Sequence, residues 1–289
     1  MRILKYKDFI FRRLHSLTGI WFSFFLLEHL FINSLAPVWF GKDNLFVKFA
    51  NMLQSLPFLR VVEVVLLLIP FGIHVFWGIL YSLKGNLHFF KKHGENAVFY
   101  YRRHIAYIFQ KITAWIILIF LCIHVVEFRF INYPKKVQMQ NEMYYLVKIK
   151  SSPITVTLTH KLDGKIYGKE GFRSLDLIND HLIKNSIDLK SNEVLAAMHS
   201  PGAAMHSPGA AMRVLLNDLF TSNFFKIFYL IFIISVAFHG ANGMFSFLIS
   251  WGVIVKRSYM TFAEILSFWM MFIFISLGLV AIWGSVIGG

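Results

Sequence analysis

Four histidines stand singly inside long apolar runs. They are His29 in "GIWFSFFLLEHLFINSL", His74 in "LLLIPFGIHVFWGILY", His124 in "WIILIFLCIHVVEF" and His239 in "FIISVAFHGANGMF". A neutral imidazole can ligate a metal, carry a proton or hydrogen-bond between helices. Each of these uses needs a partner, because a lone polar group in an apolar setting is costly. Where the four lie relative to one another therefore decides which chemistry is available.

The elements that position them are membrane spans. Of 289 residues 57% are hydrophobic and 32 are Phe, and the excess lies in long blocks rather than evenly mixed. Crossing about 30 Å of hydrocarbon takes about 20 apolar residues in a helix. The segments 14–36, 58–82, 105–130, 222–250 and 261–286 qualify. They lack the alternation of barrel strands, so they read as helices. The first is too long for a signal peptide and carries Glu28 and His29 before any small-residue cleavage pattern, so it reads as a retained span.

A net charge of +14 raises the question of nucleic acid, and the positions of the charges answer it. Arg2, Lys5, Lys7, Arg12 and Arg13 precede span one; Lys84, Lys91, Lys92, Arg102 and Arg103 lie between spans two and three; Lys256 and Arg257 follow span four. Alternate connections are basic, which is the positive-inside pattern. It puts the N-terminus in the cytoplasm and, with five spans, the C-terminus outside, with membrane lipid and no nucleic acid as the environment. The single cysteine, Cys122, excludes an internal disulfide, a C-x-x-C-H haem attachment and a cysteine-held metal cluster. No G-x-G-x-x-G or P-loop pattern is present, so flavin or iron–sulfur chemistry would belong to other chains.

Depth sorts the histidines. Span one runs outward from about residue 14, so His29 is roughly 22 Å along it at 1.5 Å per residue. His124 is roughly 28 Å along span three, which also runs outward. Spans two and four run inward, and His74 and His239 are each about 25 Å along, close to the inner face. Two depth-matched pairs result, His29/His124 outside and His74/His239 inside. Such pairs suit bis-histidine ligation of two haems, in which two imidazoles close the iron to oxygen and favour electron transfer. Gly72 and Gly78 flank His74, and Gly240 and Gly243 flank His239, which leaves room for a flat macrocycle at the inner pair. The plainer alternative is four interhelical hydrogen bonds or a proton path.

The stretch 132–221 is polar and separates 1–131, with three spans, from 222–289, with two. "YYLVKIK" and "ITVTLTH" alternate like strands, and "KLDGKIYG" carries turn chemistry, which predicts a hairpin. "SLDLINDHLIKNSI" has helical spacing of Leu175, Ile178, Leu182 and Ile183. "AAMHSPG" occurs at 196–202 and again at 203–209. Its Ser-Pro-Gly breaks argue for a duplicated flexible linker rather than a metal site at His199 and His206.

The stretches "FIFRRLHSLTGI" with "LLEHL", "SLPFLRVVEVVLLLIPFGIHVFWGILY", "FQKITAWIILIFLCIHVVEFRF" and "SVAFHGANGMFSFLISWGVIV" cover four of the five spans. Through them the sequence resembles the five-helix, two-haem cytochrome b membrane anchors of succinate:quinone oxidoreductases, the succinate dehydrogenases and fumarate reductases. The resemblance implies an all-α integral membrane protein, five transmembrane helices in a haem-binding bundle, with 132–221 as an extracytoplasmic insertion. It places the axial ligands of two b haems on His29, His74, His124 and His239, in the pairs that depth alone suggests. It also implies a flavoprotein subunit and an iron–sulfur subunit as partners, a quinone (usually menaquinone) as substrate, and the bacterial cytoplasmic membrane as location. The dicarboxylate chemistry would reside in the flavoprotein, not in this chain. Family members join helices three and four by a shorter segment than the one here.

Around that core, Glu28 and Glu63 are candidates for the protons of quinone chemistry, with a polar interhelical contact as the other account of Glu28. Arg12, Arg13, His15 and Ser16 are candidates for haem propionates, although the positive-inside pattern equally explains the arginines. Two rival readings are a haem-free transporter and another quinol-oxidising di-haem cytochrome b. Against the transporter, the histidines form two depth levels and the sequence shows no paired broken helices of the kind expected at a midplane site. The other cytochrome type usually carries two ligands on one helix, whereas here each span carries one.

Overall fold

The structure, a computed structural model, describes residues 2–37, 45–84, 102–139, 142–173, 187, 189–199 and 208–284. Among these, five helices are long and apolar enough to cross a membrane: Phe9–Ser34, Leu59–Leu83, Arg103–Ile131, Asn223–Ser250 and Arg257–Trp283. They coincide with the five expected spans, and the chain is an all-α integral membrane protein in its spanning part.

The first span lies in α1 (Arg2–Ser34), which α2 (Leu45–Gln54) follows. The second is composite: α3 (Leu59–Glu63) passes through a π-helical stretch, Val64–Leu68, into α4 (Ile69–Lys84). Pro70 explains the irregularity. It has no N–H, so the carbonyl four residues earlier, on Leu66, cannot receive the usual helical bond. The indole Nε1 of Trp21 on α1 donates to that carbonyl at 2.7 Å. In hydrocarbon, a neighbouring helix is the available source of such a donor. The third span is α5 (Arg102–Val125), ending in a π-helical stretch, Val126–Ile131.

The chain divides into two compact units. The first comprises Met1–His29, Arg60–Cys122 and Ile231–Ser276; the second comprises Leu30–Leu59, Ile123–Leu230 and Leu277–Gly289. The second holds the segment between spans three and four, and its centre is an antiparallel sheet. Strands β1 (Lys135–Met139), β2 (Glu142–Lys150), β3 (Lys165–Tyr167) and β4 (Glu193–His199) pair in the order β1-β2-β4-β3. Alternation along β2 sends Tyr144 and Leu146 into one buried cluster with Val137, Leu195 and Ala197. Tyr145, Val147 and Ile149 enter another with Leu158, Ala196, Met198 and Val214.

Here the hairpin expectation is corrected. "YYLVKIK" lies in β2, but "ITVTLTH" lies in helix α6 (Pro153–Lys161). Ser152 caps it, its side chain accepting from the Thr155 amide at 3.2 Å, and Pro153 opens it, where a missing N–H costs nothing. Thr155, Leu158 and Thr159 are buried, a helical spacing that the β-branched alternation of the same residues masked. The "KLDGKIYG" turn does form: Asp163 takes a left-handed φ of 57° between α6 and β3, and the short helix α7 (Lys169–Arg173) follows. The duplicated linker is also corrected at its ends. Ala196–Met198 of the first copy sit fully buried in β4, and Gly209 of the second opens α8 (Gly209–Leu219). Alanines suit a strand covered on both faces. Residues 200–207 lie outside the described residues, as does the expected helix over 174–187 apart from Ile187.

Helix α8 ties the second unit together. Its Gly209 amide donates to Asn51 Oδ1 on α2 at 3.0 Å, and a Cβ there would stand 2.9 Å from Val47 O. Its far end carries Asp218, which accepts from the Lys150 amide at 2.9 Å and from the Thr155 hydroxyl at 3.2 Å. Burial raises the Asp218 carboxyl above its ordinary 3.8, outweighing those bonds, which lower it. Since the native value is raised, the stability this group contributes is full below about pH 4 and declines as pH rises through the native value. Asp218→Asn is therefore expected to flatten the difference between melting temperatures at pH 4 and pH 8. An unchanged difference would assign that slope to other groups.

The remaining spans are α9 (Asn223–Ser250) and α10 (Met260–Trp283).

Candidate functional site

In the first unit, α4 and α9 bring His74 and His239 together. Their ring centroids are 6.3 Å apart and their planes cross at 76°. Both rings are anchored on neighbouring helices. His74 Nδ1 lies 3.1 Å from the His15 carbonyl of α1, and His239 Nδ1 lies 3.3 Å from the Gln110 carbonyl of α5. An Nδ1–H donating to a carbonyl leaves the Nε2 lone pair for a metal, and it fixes the ring's tautomer and orientation.

Each anchor is reciprocated. His15 Nδ1 lies 3.0 Å from the His74 carbonyl, and Gln110 Nε2 donates to the His239 carbonyl at 3.1 Å. Gln110 Oε1 in turn accepts from Asn242 Nδ2 at 2.9 Å. His15 also stacks on His74, with centroids 4.2 Å apart and planes 13° from parallel. Close approach of α1 requires glycine at one point: a Cβ on Gly19 would stand 2.9 Å from His74 Cε1.

This donor set fits a haem iron. Two metal–imidazole bonds of about 2 Å each, plus the half-width of each ring, put the centroids about 6 Å apart, which is the separation observed. Two histidines suffice where a macrocycle supplies the other four nitrogens. Among the described residues no group of three or more His, Cys, Asp or Glu gathers to hold an ion by side chains alone. Of the flanking glycines, Gly72 and Gly243 have open space where a Cβ would point, whereas Gly240 faces Phe274 and Gly78 faces His15.

His29 belongs to the first unit, half-buried, with its ring stacked on Phe25 at 5.6 Å. His124 belongs to the second unit. Its Nδ1 lies 3.0 Å from the hydroxyl of Tyr229, a buried residue of α9 that packs edge-on against Phe220 and Phe228. Glu28 is exposed and Glu63 half-buried. Of the residues considered for propionates, Arg13 donates to the Ser250 carbonyl at the end of α9 and lies over the Trp251 ring at 5.2 Å. His15 is committed to His74, Arg12 is exposed and Ser16 is half-buried. On the sheet, His199 Nε2 lies 3.5 Å from Glu142, and His206 falls outside the described residues.

Sequence reasoning missed Gly19, Gln110, Asn242 and Tyr229. Gln110 and Asn242 carried a signal, since uncharged polar side chains within spans are expected to bond across helices. Tyr229 carried none, being 105 residues from His124 in the chain.

Fold and histidines together define a class: a membrane protein with helical spans and intramembrane imidazoles, three of them anchored through Nδ1. Compared with curated proteins, the chain is 31% identical over 124 residues to the succinate dehydrogenase cytochrome b558 subunit of Bacillus subtilis (strain 168). The match covers 43% of this chain and 56% of that subunit, so the chain spans about half the length of the curated relative it matches. No protein-family profile matches the chain, and no solved structure matches it. The chain thus resembles a succinate dehydrogenase cytochrome b subunit, as its motifs suggested.

Proposed function

We propose that this chain is the membrane cytochrome b subunit of a succinate:quinone oxidoreductase, a succinate dehydrogenase or fumarate reductase. The observation that carries the reading is the His74–His239 pair, two imidazoles on different spans at a bis-histidine separation, each anchored through Nδ1. In this reading His74 and His239 ligate an inner b haem, and His29 and His124 an outer one. A bound b haem supplies reversible one-electron chemistry. The protein's own part would be to hold the imidazoles neutral and oriented, with the His15 and Gln110 carbonyls fixing the two inner rings. Flavoprotein and iron–sulfur subunits dock at the cytoplasmic side, and a membrane quinone, menaquinone by resemblance, exchanges electrons near the outer pair. The N-terminus faces the cytoplasm and the C-terminus the outside, following the basic connections. The insertion 132–221 then lies outside.

A reduced-minus-oxidised visible spectrum of the purified chain tests the reading. Two b haems per chain are expected, and absence of b-type absorbance would overturn it. Copurification of flavin and iron–sulfur subunits tests the assembly. Gly19→Val offers a sharper check, because its branched side chain would collide with the His74 ring. Orienting contacts of metal ligands are worth about 10–100-fold in affinity. The haem on His74 is expected to be at least about tenfold weaker in this variant, with the other centre retained.

A further inference from the structure

The anchor of His124 differs from those of His74 and His239. The nearest partners of the latter two are backbone carbonyls at 3.1 and 3.3 Å, with the Thr18 hydroxyl a longer 3.4 Å contact of His74, whereas His124 Nδ1 meets a side-chain hydroxyl at 3.0 Å. That hydroxyl belongs to Tyr229, whose ring is buried and held by Phe220 and Phe228 at centroid distances of 5.4 and 5.2 Å. The phenol therefore has a fixed position from which to meet Nδ1 at 3.0 Å.

We infer that Tyr229 is a positioning residue for His124, setting the electron affinity of the haem that His124 ligates through the Tyr229 Oη···His124 Nδ1 hydrogen bond. The inference rests on the haem reading above. With His124 bonded to iron through Nε2, Nδ1 keeps its proton and donates to the tyrosine oxygen. An acceptor at that position makes the imidazole a stronger donor to iron, which favours the ferric state and lowers the reduction potential. Tyr229 touches neither quinone nor iron in this account, and its effect passes wholly through the ring it orients.

The test uses the full chain in its complex, with Tyr229→Phe, which deletes one hydroxyl and leaves the aromatic packing intact. His124→Ala first identifies which of the two b centres depends on His124. Redox titration of Tyr229→Phe, followed optically and by low-temperature electron paramagnetic resonance, then reads both centres. The His124-dependent centre is expected to rise by about a tenfold change in its ferric-to-ferrous ratio, about 59 mV for one electron. Its ferric resonance should shift, and the other centre should stay where it is. Unchanged potentials at both centres would overturn the inference while leaving the haem reading intact. Equal displacement or loss of both centres would also overturn it, since that is what loosened packing alone produces. Absence of b haem from the unsubstituted complex would remove the underlying reading itself, a result distinct from either.

Discussion

His74→Ala and His239→Ala are each expected to abolish the same b haem, halving the haem content, while His124→Ala abolishes the other. Loss of either imidazole leaves the site one nitrogen donor short, and the nearest other imidazole, His15, already has its Nδ1 on the His74 carbonyl at 3.0 Å. The decisive point is which variants share a phenotype. His74 and His239 lie on separate spans yet stand 6.3 Å apart, so a common loss is expected of them. His29→Ala should behave as His124→Ala does, in line with depth along the spans. The measurement is haem stoichiometry with optical redox titration of each variant. Loss of one centre by His29→Ala and His74→Ala alike would refute the pairing.

Arg213→Met is expected to destabilise the second unit by about 2–3 kcal/mol. Arg213 is 1% exposed, and its Nε and terminal nitrogen donate to the Ala36 and Pro37 carbonyls at 3.0 and 2.9 Å. Those carbonyls follow the last turn of α1, where helical N–H donors have run out and a cation is favoured. Burial lowers the guanidinium to about 10, so it remains charged at neutral pH. Methionine fills much of the volume and removes the cost of burying the charge. It also leaves the carbonyls behind, with Ala36 O keeping the Asn217 Nδ2 bond at 3.1 Å. Removing one partner from a buried polar contact costs more than removing both, which sets the sign. Arg213→Lys should fall between, having the charge without the planar fork. Thermal unfolding in detergent reads the effect, and a methionine variant as stable as the original would show that desolvation dominates.

Much of the architecture was legible in the sequence because it is governed by local quantities. Hydropathy over about 20 residues defines a span whatever it packs against, and all five spans lie where the runs placed them. Position along a span also gave the histidines their depth, so the proximity of His74 and His239 could be anticipated. Strand β2 was legible for the same reason, since its alternation is a property of consecutive residues. Helix α6 was not, because "ITVTLTH" satisfies both periods. The arbiter was the Ser152 cap and Pro153, together with a buried face that exists only once β4 and α8 are in place.

What the sequence determined by itself was which residues enter the membrane, how far along each span they lie, and that four of them are imidazoles needing partners. Tertiary structure decided who those partners are: the His15 carbonyl for His74, the Gln110 carbonyl for His239 and the Tyr229 hydroxyl for His124. It also turned Ala196–Met198, part of a repeat with the composition of a linker, into the buried centre of a sheet. The physical reason is common to these cases. Hydropathy and helical rise are set within a turn or two of chain, whereas a hydrogen-bond acceptor 59, 129 or 105 residues away is chosen only when helices pack and the acceptor comes within about 3 Å.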